Sequence, residues 1–294
     1  MGKDLYEAFP AARSIFDRAE KIASLPLTKL CFEGPEEELS RTDVSQPAIF
    51  AVSAAVLAVM DDLLGEAAPR ADCCAGLSLG EYTALYAAGA MGFDQAVELV
   101  TRRGALMQQA AEAVPSGMVC ILGLDEGKAR ELCDAVSDGE VLACANFNCP
   151  GQVVLSGQTA ACERAAERAT EFGASGAVPL KVAGAFHTEL MQPAAEKLGE
   201  TLAGMSFADP TARVLANVDA EAYAGAGDVA GKLLMQLTSP TRWQQSMEKF
   251  LADGVETYYE IGPGRVARGL MRRIDRKTRV TCLNTCKAVE ALAS

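Results

Sequence analysis

The chain has 294 residues, half of them hydrophobic, and a formal net charge of -12. That size and apolar content suffice for one large or two smaller domains with a sizeable core. The acidic balance argues against general binding to nucleic acid or to an anionic membrane, both of which need clustered Lys and Arg, and leaves a small molecule or a protein as the partner class.

The chain opens on Met1-Gly2-Lys3-Asp4, with no basic stretch leading into an apolar signal segment, so its ten cysteines read as reduced thiols and the protein as cytoplasmic. No Cys-x-x-Cys pair occurs and there is a single histidine, so no metal site is expected. The longest apolar run, Ala48 to Met60, is too short to cross a bilayer and is closed by Asp61 and Asp62, which predicts a buried helix.

From Pro47 onward, small-residue helices alternate with short apolar strands, the pattern of an α/β protein with a mainly parallel sheet. Ala71 to Ala75 reads as a short buried strand and Glu81 to Ala88 as a helix. Gly76-Leu77-Ser78-Leu79-Gly80 therefore falls at a sharp strand-to-helix turn, the setting of a nucleophile elbow. There, flanking glycines are expected because the turn leaves no room for a Cβ, and the helix start offers N–H groups and a positive dipole end to a developing oxyanion. A structural tight turn with an incidental serine fits the same residues.

The helix expected from Asp94 onward places Leu99, Val100, Leu106 and Met107 on one face, with Arg103 inside that apolar stripe and Arg102 off it. A buried guanidinium needs an anionic partner: either one of the chain's own acids or the carboxylate of a substrate.

Between Gly117 and Val182 the order is strand (Met118 to Leu122), helix (Glu126 to Val136), strand (Val141 to Asn146), strand (Gln152 to Ser156), helix (Thr159 to Phe172) and strand (Val178 to Val182). That βαββαβ order is the ferredoxin-like unit. It predicts a subdomain at 117–183 inserted into a larger body at 1–116 and 184–294, with a cleft between them as the natural place for a site. His187 follows the insertion and is the one imidazole available as a base for Ser78, although a lone histidine also suits a core or surface position. The C-terminal part is expected to turn at Gly262-Pro263-Gly264 into a basic helix and to end in a short strand near Val280 to Leu283.

With these residues assembled, the chain resembles the malonyl-CoA:acyl-carrier-protein transacylases of the acyltransferase family over nearly its whole length. The matching stretches are Gln46-Pro47-Ala48, Gly76 to Leu85, Arg103-Gly104, Asn146 to Asn148 with Pro150 to Val154, Ala185-Phe186-His187, the Gln236 region ending in Trp243, and Glu260 to Gly264. The resemblance implies an α/β-hydrolase-like body with a parallel sheet, carrying the ferredoxin-like subdomain. It implies transfer of malonyl from malonyl-CoA to the phosphopantetheine thiol of acyl carrier protein, as in fatty acid biosynthesis, by a monomer with no cofactor of its own. It also implies Ser78 as nucleophile, His187 as base, Arg103 as clamp for the malonyl carboxylate and the Leu79 N–H as an oxyanion donor. Gln236 matches a residue whose main-chain carbonyl orients the histidine, and Asn148 a residue lining the site. Phe186 matches a bulky residue that crowds an α-methyl group, a steric selection typically worth about 1–3 kcal/mol.

Two departures stand out. The residue before the nucleophile is usually histidine in that family and is Leu77 here. The family also begins with a strand and Gly-Gln-Gly-x-Gln, whose last glutamine supplies a second oxyanion N–H. This sequence starts just beyond that segment, and one oxyanion donor is commonly worth about 3–4 kcal/mol. Two alternatives stay open: a serine esterase or thioesterase, which an elbow serine and a histidine also suit, and, because of the missing motif, a catalytically impaired relative that binds carrier protein without turnover.

Overall fold

The apolar run read as a buried helix is the middle of a longer one, Thr42–Leu64, of 23 residues. At 1.5 Å per residue that length reaches across a bilayer, so shortness is not what marks it as a core helix. Burial does: Ala48, Phe50, Ala51, Val52, Ala54, Ala55 and Val56 are all fully buried in the protein. A helix apolar on every side needs neighbours on every side, and in this chain they include the Pro10–Ala23 and Leu79–Ala87 helices.

The computed structural model describes residues 1–293. Among them the strands are β1 (Cys73–Cys74), β2 (Ser116–Leu122), β3 (Leu142–Cys149), β4 (Gln152–Gln158), β5 (Gly176–Pro179), β6 (Arg213–Val214), β7 (Tyr258–Ile261) and β8 (Val280–Leu283). The chain divides into two compact units. The first comprises Met1–Ala105, Phe207–Val214 and the stretch from Gly254; the second comprises Leu106–Ser206 and Leu215–Asp253.

The first unit carries the parallel strands. β1 pairs with β6 through Cys73↔Arg213 and Cys74↔Val214, and β7 pairs with β8 from Tyr258↔Val280 to Ile261↔Leu283. The parallel structure is thus two short two-stranded sheets among helices. At the turn before the basic Val266–Ile274 helix, Gly262 has φ 112°, and a Cβ there would lie 2.2 Å from Ser53 Oγ on the core helix. Only glycine serves both requirements.

The second unit contains the ferredoxin-like sheet, in the order β3-β4-β2-β5 with every neighbouring pair antiparallel. Side chains alternate between its faces. Val119, Ile121, Phe147, Val153 and Leu155 pack with Leu132 and Val136 of the Glu126–Val136 helix and Ala165 of the Thr159–Arg168 helix. Met118, Cys120, Ala145 and Val154 face the other way, against Phe186. The last strand sits earlier than its apolar residues suggest, ending at Pro179, whose ring removes a ladder N–H. Val178, Leu180 and Val182 are exposed instead. This second unit reaches beyond 117–183 on both sides and includes the Gln192–Ala203, Ala226–Gln236 and Trp243–Ala252 helices.

Candidate active site

In the first unit, β1 feeds directly into the turn that carries Ser78, and the Leu79–Ala87 helix begins at the next residue. Ser78 has φ 48° and ψ −100°, a conformation that L-residues rarely adopt. Such strain costs about 1–3 kcal/mol and persists only where surrounding structure enforces it. The enforcement is visible at Gly76, where a Cβ would lie 1.9 Å from the backbone carbon of Gly80. Gly80 itself has open space around the Cβ position, so the expectation that both glycines are required by crowding holds for Gly76 alone. The Gly80 and Glu81 N–H groups donate to the carbonyls of Leu77 and Ser78 at 2.8 and 3.2 Å. Leu79 is the first helical residue, and its N–H belongs to the helix start that no intrahelical carbonyl reaches.

Arg103 lies in the Phe93–Ala113 helix, at 1% relative exposure, with Leu99, Val100, Leu106 and Met107 buried on the same stripe and Arg102 exposed. Its Nη2 donates to Ser78 Oγ at 2.8 Å and its Nη1 to Gln46 Oε1 at 2.7 Å, while the guanidinium lies over the Tyr82 ring, 5.1 Å from the centroid. Burial lowers the Arg103 pKa from its ordinary value, partly offset by Tyr82 and then Glu81. An arginine starts so high that it remains a cation at neutral pH. Burial also pushes the Tyr82 phenol up to about 12, so it stays neutral beside the cation.

In the sequence Gln46 carries no site signal of its own and stands at the edge of an apolar run. The structure explains both it and Gly104. A Cβ on Gly104 would lie 2.7 Å from the Thr42 carbonyl and 3.4 Å from Gln46 Cβ. Glycine after Arg103 therefore lets two helices approach closely enough for Gln46 to meet the guanidinium.

In the second unit, His187 is 4% exposed and takes φ 62°, a second strained non-glycine residue. Its loop is pinned by hydroxyls: Ser116 Oγ accepts from the Ala185 N–H at 3.2 Å, Ser156 Oγ donates to the Phe186 carbonyl at 2.8 Å, and Thr188 Oγ1 donates to the Ala185 carbonyl at 2.8 Å. His187 Nδ1 lies 2.8 Å from the main-chain carbonyl of Gln236. A carbonyl only accepts, so Nδ1 carries the proton and Nε2 of the neutral ring is left as the basic nitrogen. That carbonyl is available because it ends the Ala226–Gln236 helix: the Leu237 and Thr238 N–H groups turn back to Leu234 and Met235. Phe186 is half-buried on the sheet face opposite the helices. Asn148 is half-buried in β3, where the register slips between Phe147 and Cys149. Ser78, Leu79 and Arg103 thus form one set, and Asn148, Phe186, His187 and Gln236 lie in the other unit.

A strained serine at a helix start, touched by a buried arginine, is an arrangement that transfer of an anionic acyl group would require. Consistent with that class, residues 1–276 match the acyl transferase domain family. The malonyl CoA-acyl carrier protein transacylase of Bacillus subtilis is 43% identical over 291 residues, covering 99% of this chain and 90% of that protein. The solved structure of the corresponding transacylase from Coxiella burnetii superposes with a TM-score of 0.95 at 34% identity, covering 100% of this chain and 92% of that one. A malonyl-transacylase solved in complex with its type II polyketide acyl-carrier protein is 40% identical with a TM-score of 0.92, covering 99% and 93% of the two chains. This chain belongs to the malonyl CoA-acyl carrier protein transacylase family.

Proposed function

We propose that the chain moves malonyl from malonyl-CoA to the phosphopantetheine thiol of acyl carrier protein through an ester on Ser78, supplying fatty acid biosynthesis. The transferase activity is that of the family. Ser78 Oγ attacks the thioester carbon while its proton passes to His187 Nε2. The resulting oxyanion meets the Leu79 N–H, and coenzyme A leaves as its thiol with the proton from His187. The carrier thiol then gives its proton to His187 and attacks the malonyl ester, and His187 returns that proton to the departing Ser78 oxygen, which restores both residues.

The observation that carries this reading is the 2.8 Å hydrogen bond from the buried Arg103 to Ser78 Oγ. In a malonyl thioester the carboxylate is separated from the reacting carbonyl by one methylene, so its receptor must sit beside the nucleophile. A guanidinium already touching Oγ is in that range and offers a carboxylate a bidentate, charge-assisted partner. An esterase for neutral esters has no use for a buried cation there. Asn148 and Phe186 are assigned to the lining of the acyl pocket, Phe186 against α-methyl groups. Labelled malonyl-CoA is expected to leave a stable ester on Ser78, and Ser78→Ala to acquire none; label persisting on Ser78→Ala would overturn the assignment.

A further inference from the structure

Gln236 offers His187 a main-chain carbonyl, so its side chain is not needed for that contact, yet the side chain is fully buried. Its Nε2 donates to Oδ1 of Asn217 at 3.5 Å, the long end of a hydrogen bond. Asn217 is itself 2% exposed, and its own carbonyl accepts from the Arg242 N–H at 2.9 Å. Asn217 therefore holds both ends of the 236–242 segment, once by side chain and once by main chain. The same segment is fixed to the sheet at Thr241, whose N–H donates to Ala145 at 2.8 Å and whose carbonyl accepts from Phe147 at 2.9 Å.

Two facing apolar side chains would fill that space with no polar group to desolvate, and exchanging a buried polar pair for such a pair is often neutral or stabilising. A buried amide pair kept against that alternative points to geometry. The geometry at stake is the aim of the Gln236 carbonyl at the end of the helix, whose peptide plane is directed by the 3.3 Å turn from the Leu237 N–H to the Leu234 carbonyl and by the loop that follows. Hydrogen-bonded supports of this kind fix the ring orientation and tautomer of a functional histidine.

We infer that Asn217 is a positioning residue: by holding Gln236 it aims the carbonyl that keeps the proton of His187 on Nδ1. This rests on the assignment of His187 as base, but its test does not depend on turnover. With one histidine in the chain, the imidazole signals of the full-length protein labelled with ¹⁵N-histidine belong to His187 alone. The wild type is expected to show the Nδ1–H tautomer. Asn217→Leu and Gln236→Met, which keeps the main-chain carbonyl, are each expected to give a tautomer mixture and to lower kcat for malonyl transfer by roughly 10- to 100-fold, with KM for malonyl-CoA moved less than about threefold. The double variant is expected to be no worse than either single one. Should Asn217→Leu fail to fold, Gln236→Met carries the test. A wild-type tautomer signature in the folded variant would overturn the inference, whereas failure of Ser78 labelling would overturn the catalytic assignment and leave the imidazole result standing.

Discussion

Arg103 is held among apolar side chains by contacts that include a glutamine oxygen, a serine hydroxyl and a phenol ring. Moving a cation into that setting costs several kcal/mol, and a carboxylate entering beside Ser78 would recover part of it as a charge-assisted pair. The clamp role proposed for Arg103 therefore implies selectivity for a carboxylated acyl group. Arg103→Ala is expected to lose about 3 kcal/mol of transition-state binding for malonyl, roughly a hundredfold in kcat/KM, and to shift preference toward acetyl. Competition between malonyl-CoA and acetyl-CoA checks this, and unchanged selectivity would remove the clamp role. Tyr82 beneath the guanidinium makes a separate prediction. Its folded-state pKa of about 12 lies above the ordinary value of 10.0, so its contribution is complete below pH 10 and is lost as pH rises toward 12. Two units correspond to about 2–3 kcal/mol. Urea unfolding between pH 9 and 12 should show a smaller alkaline loss for Tyr82→Phe than for the wild type.

The elbow ties a strand, a turn and a helix to one backbone constraint, and its two glycines separate crowding from pattern. Gly76→Ala would press a methyl group into the Gly80 backbone and is expected to open the turn, destabilising the fold by more than about 2 kcal/mol and abolishing malonyl labelling. Gly80→Ala meets open space at the second helical position and is expected to be neutral or up to about 1 kcal/mol stabilising. Thermal unfolding of the two variants tests the contrast. The sequence made the elbow legible because strand, glycines and helix follow one another locally; the ferredoxin-like unit was legible for the same reason, as its helices and turns alternate within 67 positions, 117–183. Parallel pairing was less so: β1 and β6 lie about 140 residues apart and are two residues each, too short for any periodicity. The roles of Gln46 and Asn217 are not legible in the sequence, because a buried polar residue beside apolar ones declares its purpose only through the partner it meets, and both partners are distant in sequence: Arg103 for Gln46 and Gln236 for Asn217.

At the scale of the whole molecule, the charge distribution bears on how a carrier protein that is itself acidic would approach an enzyme of net charge -12. Long-range attraction cannot come from the total charge and must come from a local patch within about a Debye length, about 8 Å at physiological salt. Arg265, Arg268, Arg272, Arg273, Arg276, Lys277 and Arg279, on the Val266–Ile274 helix or just before and after it, are all exposed. Glu260 accepts from the Ala267 and Arg268 N–H groups at 2.8 and 3.0 Å and so anchors the start of that helix. Its buried residues Leu270 and Met271 hold the opposite face inward. A fixed helix presenting cations to solvent suits recognition of an acidic partner better than a mobile loop would, because less side-chain and backbone freedom is lost on docking. If this patch receives the carrier, reversing Arg272 and Arg273 to Glu should raise KM for acyl carrier protein at least tenfold at low salt while leaving formation of the malonyl ester from malonyl-CoA unchanged, since that half-reaction needs no carrier. Salt should narrow the gap between wild type and variant, because screening removes from the wild type what the substitutions removed outright. Steady-state transfer at two ionic strengths, run beside single-turnover ester formation, separates the outcomes: an unaltered KM for the carrier at low salt would place docking elsewhere on the surface.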